Sequence, residues 1–170
     1  HSTTKYLNGH SDVVGGAVIG RTPELAADAA WWANCLGVTG PALDSYLTLR
    51  GLRTLKVRMD AHVANASRIA AEFTGHPALN ALHYPGLPDH PDFALAQRQQ
   101  DGPGGIVTLD VIGGAEGIAA FLDGLQCFSL AESLGGVESL VAHPGTMTHA
   151  AMPPDVQAAA GLTPGMLRLS

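Results

Sequence analysis

Lysine is scarce in this chain. Lys5 and Lys56 are the only two among 170 residues, and nine Lys and Arg together face fifteen Asp and Glu, for a formal charge of −6. No run of basic residues occurs, so the clustered cations that a nucleic-acid backbone or an anionic membrane requires are missing, which argues against either as the main partner. The negative charge reads as a solubility feature. Cysteine is equally scarce: Cys35 and Cys127 sit among apolar or aromatic neighbours without CxxC spacing. That pattern excludes a disulfide-stapled secreted scaffold and predicts two buried thiols in a reducing cytoplasm. No stretch reaches the roughly 18 apolar residues of a membrane span, and the first residues form neither a basic leader nor an apolar signal core. An initiator methionine is also missing, and His1 opens directly on a dense polar cluster. This reads as the middle of a longer protein, with no repeat or low-complexity segment in the part given.

What is present suits a compact α/β fold, with 46% apolar and 14% charged residues. Residues 12–20 (DVVGGAVIG) read as a short, glycine-interrupted strand. Thr22-Pro23-Glu24 supplies a hydroxyl N-cap, a proline at the first helical position and an acid in the first turn. Leu25, Ala29, Trp32 and Leu36 continue at helical spacing to a stop at Gly37, predicting a helix that buries one face. A second helical segment carries Leu43, Tyr46 and Leu47, with Gly51 as a kink or break. A long helix follows from Leu52 to Phe73, ended by Gly75-His76-Pro77. Residues 84–91 form a proline-rich connection and 92–100 a short helix. Val107, Leu109 and Val111 alternate with Thr108 and Asp110 inside a strand from Gly105 to Ile112. A helix face (Ile118, Phe121, Leu122, Leu125), a strand at 137–142, a helix from Pro153 to Ala160 and a last strand from Met166 to Leu169 complete an α/β layer with helices covering a sheet. The domain boundary is placed in the long helix near residue 58.

Lys56 falls in the charged part of the long helix and reads as a solvated side chain. Lys5 is different: Ser2 and Thr4 flank it and Asn8-Gly9-His10-Ser11 follow, a set of hydroxyls, amide and glycine suited to a phosphate. Spacing alone leaves two readings open, a cofactor site and an ordinary loop. Arg168, read alone, is a surface charge at a strand end, and Glu132 and Ser133 a polar turn before a strand. His143 and His149 stand six apart with no cysteine beside them, so no metal site is expected.

The segment Ser2-Thr3-Thr4-Lys5-Tyr6-Leu7-Asn8-Gly9-His10-Ser11-Asp12 resembles the S-x-T-K-[YF]-x-x-G-H-x-D motif of the Cys/Met-metabolism family of pyridoxal-phosphate enzymes. WWANCLGVTGPALDSYLTLRGLRTL at 31–55, LAESLGGVESLVAHPGTMTHAAM at 130–152 and GMLRLS at 165–170 are similar to the same family. Trp31–Asn34 and Asp44–Leu47 are most similar to its bacterial γ-replacement enzymes. The resemblance implies the C-terminal half of an aspartate aminotransferase-like (type I) α/β enzyme, a carbon–sulfur transferase or lyase. Residues 1–57 would close its large, cofactor-binding domain, and residues 58–170 would form an incomplete small α/β domain. It implies pyridoxal 5'-phosphate as cofactor, with Lys5 as its Schiff-base lysine and catalytic amine and with the hydroxyls of Ser2 and Thr4 on its phosphate. Arg168 would grip the substrate α-carboxylate, and Glu132 and Ser133 would border the substrate. The reaction implied is γ-replacement of the succinyl group of O-succinyl-L-homoserine by L-cysteine, giving cystathionine in methionine biosynthesis. γ-Elimination, sulfhydrylation and a non-catalytic fragment are the alternatives. The implied partners are amino-acid substrates, the N-terminal half of the same enzyme and further copies in a cytoplasmic homotetramer.

Overall fold

The computed structural model describes residues 1–170. They divide into two compact units, one of His1–Arg58 with Gly135–Val137 and one of Met59–Leu134 with Glu138–Ser170.

The first unit opens on a single wide turn, Thr3–Leu7, followed by helices α1 (Pro23–Leu36) and α2 (Ala42–Leu52) and the start of α3 (Leu55–Phe73). The cap signals act as expected: the Leu25 amide donates to the Thr22 hydroxyl at 3.3 Å, and Gly37, at φ 69°, closes α1. The burial expected of α1 is not found. Leu25, Trp32 and Leu36 are 54%, 57% and 69% exposed and no residue of the helix is buried. Helical spacing tells which face is apolar; burying that face also takes a partner surface, and no part of this chain supplies one. Residues 12–20 form no strand. They run back along His1–Thr4, held by one bridge between Ser2 and Gly16 and by the bonds Thr3 N–H to Gly15 O (3.0 Å) and Ala17 N–H to His1 O (2.8 Å). With one bridge there is no ladder, and Val14, Val18 and Ile19 face solvent. Both cysteines are exposed, against the expectation of buried thiols. Apolar neighbours in sequence do not bury a residue whose helix or loop has nothing packed over it. Gly51 neither kinks nor breaks α2. It lies where a Cβ would collide with the Asn8 carbonyl, so the glycine serves a close backbone approach inside a continuous helix. The break comes later, at Arg53-Thr54, which shortens the long helix at its start.

The second unit is built on a five-stranded sheet. Its strands are β1 (Leu79–His83), β2 (Val107–Val111), β3 (Ser129–Leu130), β4 (Leu140–Ala142) and β5 (Met166–Leu169), in the order β1-β2-β5-β4-β3, with only the β3–β4 pair parallel. Helices α4 (Phe93–Gln99), α5 (Gly114–Asp123) and α6 (Pro154–Ala159) complete it. The pairings Val107–Leu169, Leu109–Leu167 and Val141–Leu169 gather the branched side chains on one sheet face. Ala66 and Ala70 of α3 and Ile118 of α5 join them in the core, so these helices cover that face. The other face carries the row Thr108, Arg168 and Ala142. The strand expected at 137–142 is confined to β4, and two strands lack a sequence signal. Leu79–His83 (LNALH) is held by pairing to β2 across a bulge, and β3 is two exposed residues. Tyr84, expected in a connection, is a core residue whose hydroxyl donates to Gly104 O at 3.1 Å and lies 3.0 Å from the Ser67 hydroxyl.

Leu109 is 0% exposed at the middle of this core. Leu109→Ala is expected to lower the unfolding free energy by about 2–5 kcal/mol. Urea denaturation followed by circular dichroism checks it, and a loss well under 1 kcal/mol would contradict the placement of β2.

Candidate cofactor and substrate site

Lys5 occupies the centre of the Thr3–Leu7 turn with φ −101° and ψ −135°, outside helical geometry. Its carbonyl accepts from the Asn8 and Gly9 amides, the latter at 2.8 Å, which closes a tight loop directly after the amine-bearing residue. Ser2 lies on the extended stretch before the turn and is exposed. The Thr4 hydroxyl accepts from the Gly15 amide at 3.1 Å and reaches the Gly15 carbonyl at 3.4 Å. The second contact is at the long limit of a hydrogen bond, so the Thr4 proton can turn to a stronger acceptor without giving up the first. Gly135, at φ 79°, rests on the same turn: a Cβ there would come within 2.6 Å of the Tyr6 nitrogen and 3.0 Å of the Lys5 carbonyl carbon. Only glycine allows the two backbones to meet in this way.

One residue of this unit was missed in the sequence. Arg58 donates through Nη1 to Tyr6 O (2.9 Å), through Nη2 to Gly51 O (2.8 Å) and Asn8 O (3.4 Å), and through Nε to the Thr54 hydroxyl (3.1 Å). Loss of surrounding water lowers its pKa below the usual arginine value. Its partners lie up to 52 positions away, and nothing in its helical neighbourhood marks it out.

In the second unit Arg168 extends from β5 on the sheet face opposite the apolar core. Its Nη2 donates to Ser133 O at 2.7 Å, and its Nε is buried with no hydrogen-bond partner. Ser133 takes a left-handed backbone, φ 77°, uncommon for a residue with a Cβ. Ser133 and Arg168 are therefore brought together, while the neighbouring Glu132 is exposed. Lys5, Ser2 and Thr4 share the first unit, and Arg168, Ser133 and Glu132 the second.

The donor set fits a phosphorylated aldehyde in part. Lys5 offers a primary amine for the aldehyde carbon, and Ser2 and Thr4 offer hydroxyls within the same few residues for phosphate oxygens. The buried Nε of Arg168 is an N–H donor that a carboxylate would satisfy in the two-point manner of a guanidinium.

One unit thus carries a lysine in a turn with two hydroxyl residues close in sequence, and the other an arginine with an unpaired buried donor. The family model for Cys/Met metabolism PLP-dependent enzymes matches residues 1–170, and the chain belongs to that family, which uses pyridoxal phosphate. It is 51% identical over its whole length to the cystathionine γ-synthase of Escherichia coli K12 and 47% identical to the cystathionine γ-lyase of Bacillus subtilis 168, covering 44% and 45% of those proteins. Among solved structures, cystathionine γ-synthase from Xanthomonas oryzae pv. oryzae in complex with aminoacrylate and cysteine matches all of the chain at 57% identity, with a TM-score of 0.96 and 44% of that protein covered. The chain spans less than half the length of the relatives it matches.

Proposed function

We propose that this chain is part of a cystathionine γ-synthase, in which Lys5 carries pyridoxal phosphate, Ser2 and Thr4 hold its phosphate, and Arg168 binds the substrate α-carboxylate. The observation that carries the reading is identity along the full chain: 57% to the Xanthomonas γ-synthase, against 40% to the γ-lyase of Lactobacillus plantarum at comparable structural similarity. The relatives are more than twice as long as this chain, and the proposal takes the rest of the cofactor pocket from the part of the enzyme that lies outside it. In keeping with that, the isolated chain is expected to hold the cofactor weakly. Assembly as a homotetramer and a cytoplasmic location belong to the same proposal; no helix is long and apolar enough to cross a membrane.

When bound, the cofactor supplies an electron sink that makes the Cα and Cβ protons of an amino acid removable. The protein's part is positional and acid–base. The Arg168 guanidinium, oriented by its bond to Ser133 O, holds the carboxylate end of O-succinyl-L-homoserine. Glu132 and Ser133 border the bound substrate. The Lys5 amine, in its neutral form, would take the Cα proton and return a proton to the substrate skeleton. Overall, the bond from Cγ to the succinyl oxygen breaks and a bond from Cγ to the cysteine sulfur forms. The thiol proton leaves in the medium with succinate.

A second reading, γ-elimination, has the 47% identity to the Bacillus γ-lyase in its favour. Incubating the complete enzyme with O-succinyl-L-homoserine, with and without cysteine, separates the two. Cystathionine and succinate in equal amounts are expected with cysteine; 2-oxobutyrate as the main product in its presence would sink the synthase reading.

A further inference from the structure

The wide turn that carries Lys5 is held twice, by the Asn8 and Gly9 amides on the Lys5 carbonyl and by a side chain that reaches it from α3. Lys5 sits in a non-helical conformation, so the peptide groups that follow it set the backbone frame from which its side chain leaves. Two of the carbonyls just after it, Tyr6 O and Asn8 O, are gripped by one side chain, Arg58, reaching back across roughly 50 positions. The same guanidinium takes Gly51 O at the end of α2 and the Thr54 hydroxyl in the turn before α3. It therefore ties the lysine turn to two rigid elements at once. Its planar fork is what permits this, because divergent carbonyls are reached by N–H groups fixed at different angles on one rigid ion. Gly9 leaves open the space that the fork fills. Asn8 is buried and secured twice more: its side-chain amide donates to Asp12 Oδ1 at 2.7 Å, and His10 Nδ1 donates to its carbonyl at 2.8 Å. The guanidinium gives up part of its water to these partners, which lowers its pKa below the usual arginine value.

We infer that Arg58 is a positioning residue for Lys5: by clamping the Tyr6 and Asn8 carbonyls to α2 and α3 it fixes the direction in which the lysine amine is presented to the cofactor. The inference rests on the assignment of Lys5 as the cofactor lysine. Arg58 touches neither substrate nor cofactor in this account, and its effect passes through the turn.

The test uses the complete enzyme with Arg58→Met, Arg58→Lys and Thr54→Val, each first compared with wild type by circular dichroism and thermal midpoint. Borohydride is added at sub-saturating pyridoxal phosphate, and the cofactor fixed on the Lys5 peptide is measured by mass spectrometry, together with the pH midpoint of the visible absorption band and separate kcat and KM values. In Arg58→Met, trapping at Lys5 and kcat are expected to fall by about tenfold or more, as misplacement of a reacting group entails, with a moved pH midpoint and KM changed less than kcat. Arg58→Lys is not expected to rescue, since one ammonium cannot hold divergent carbonyls. Thr54→Val, which removes the Nε contact together with the hydroxyl's own bond to Gly51 O (3.2 Å) and leaves the three Nη contacts, is expected to give a smaller loss in the same direction and decides the matter if both Arg58 variants fail to fold. Folded variants with wild-type trapping, pH midpoint and kcat would overturn the inference. A wild-type enzyme whose trapped cofactor is not on Lys5 would overturn the site assignment instead, a separate and recognisable result.

Discussion

Replacing Lys5 with alanine is expected to abolish covalent cofactor attachment and to lower γ-replacement by at least about 10²–10⁴-fold, the usual share of one well-placed proton-transfer group. The loss should exceed that range if the amine's second task, exchanging the cofactor onto the incoming amino acid, is equally dependent on Lys5. Lys5→Arg should be no better, because a guanidinium stays protonated and is not a nucleophile at any working pH. Lys56→Ala, in α3, should leave turnover within about twofold, as an exposed helical lysine is ordinarily replaceable. Steady-state assays with purified complete enzymes, read beside the visible spectrum, distinguish these outcomes. A Lys5→Ala enzyme retaining the cofactor's imine absorption would contradict the assignment.

Arg168 carries the second large effect. On β5 it is flanked by Thr108 on one side and Ala142 on the other, so its backbone is fixed by pairing along both edges. Its Nη2 is committed to Ser133 O, and its buried Nε is the donor still to be satisfied. Two charge-assisted bonds to a carboxylate, each worth about 1.5–3 kcal/mol, would complete it. Arg168→Ala is therefore expected to lower kcat/KM by roughly 10²-fold or more, chiefly through KM. Arg168→Lys should recover only part, because an ammonium offers a point charge where the fork offers two parallel donors. Substrate titration against a deaminated analogue that keeps the carboxylate provides the check. Equal loss of kcat with KM unmoved would place Arg168 outside carboxylate binding.

How much of this was legible in the sequence differs by element, for physical reasons. The ends of α1 could be read because the Thr22 hydroxyl and the left-handed Gly37 act within a few residues of themselves. The alternation in β2 could be read because one face of the strand is buried against α3 and α5. β1 could not, since LNALH has no β-branched residue and no sustained alternation, and exists through its pairing with β2. The run at 12–20 had the apolar content of a strand but lacks a neighbouring ladder, and α1 had an apolar stripe but lacks a covering surface. Burial, and with it the state of Cys35 and Cys127, depends on what packs from elsewhere, which local pattern does not encode. The site divides in the same way. The Ser2-Thr4-Lys5 cluster is contiguous and stood out, whereas the bond from Arg168 to Ser133 spans 35 positions and Arg58 reaches 52. The left-handed backbone at Ser133 had no signal, because serine is not a residue that marks such geometry.

Lys5 is proposed as the residue to which the cofactor is bound. The most direct test is borohydride reduction of the complete enzyme with pyridoxal phosphate, followed by peptide mapping. One pyridoxyl-modified peptide is expected, with the group on Lys5; modification of Lys56, or of a lysine outside this chain with Lys5 untouched, would refute the assignment.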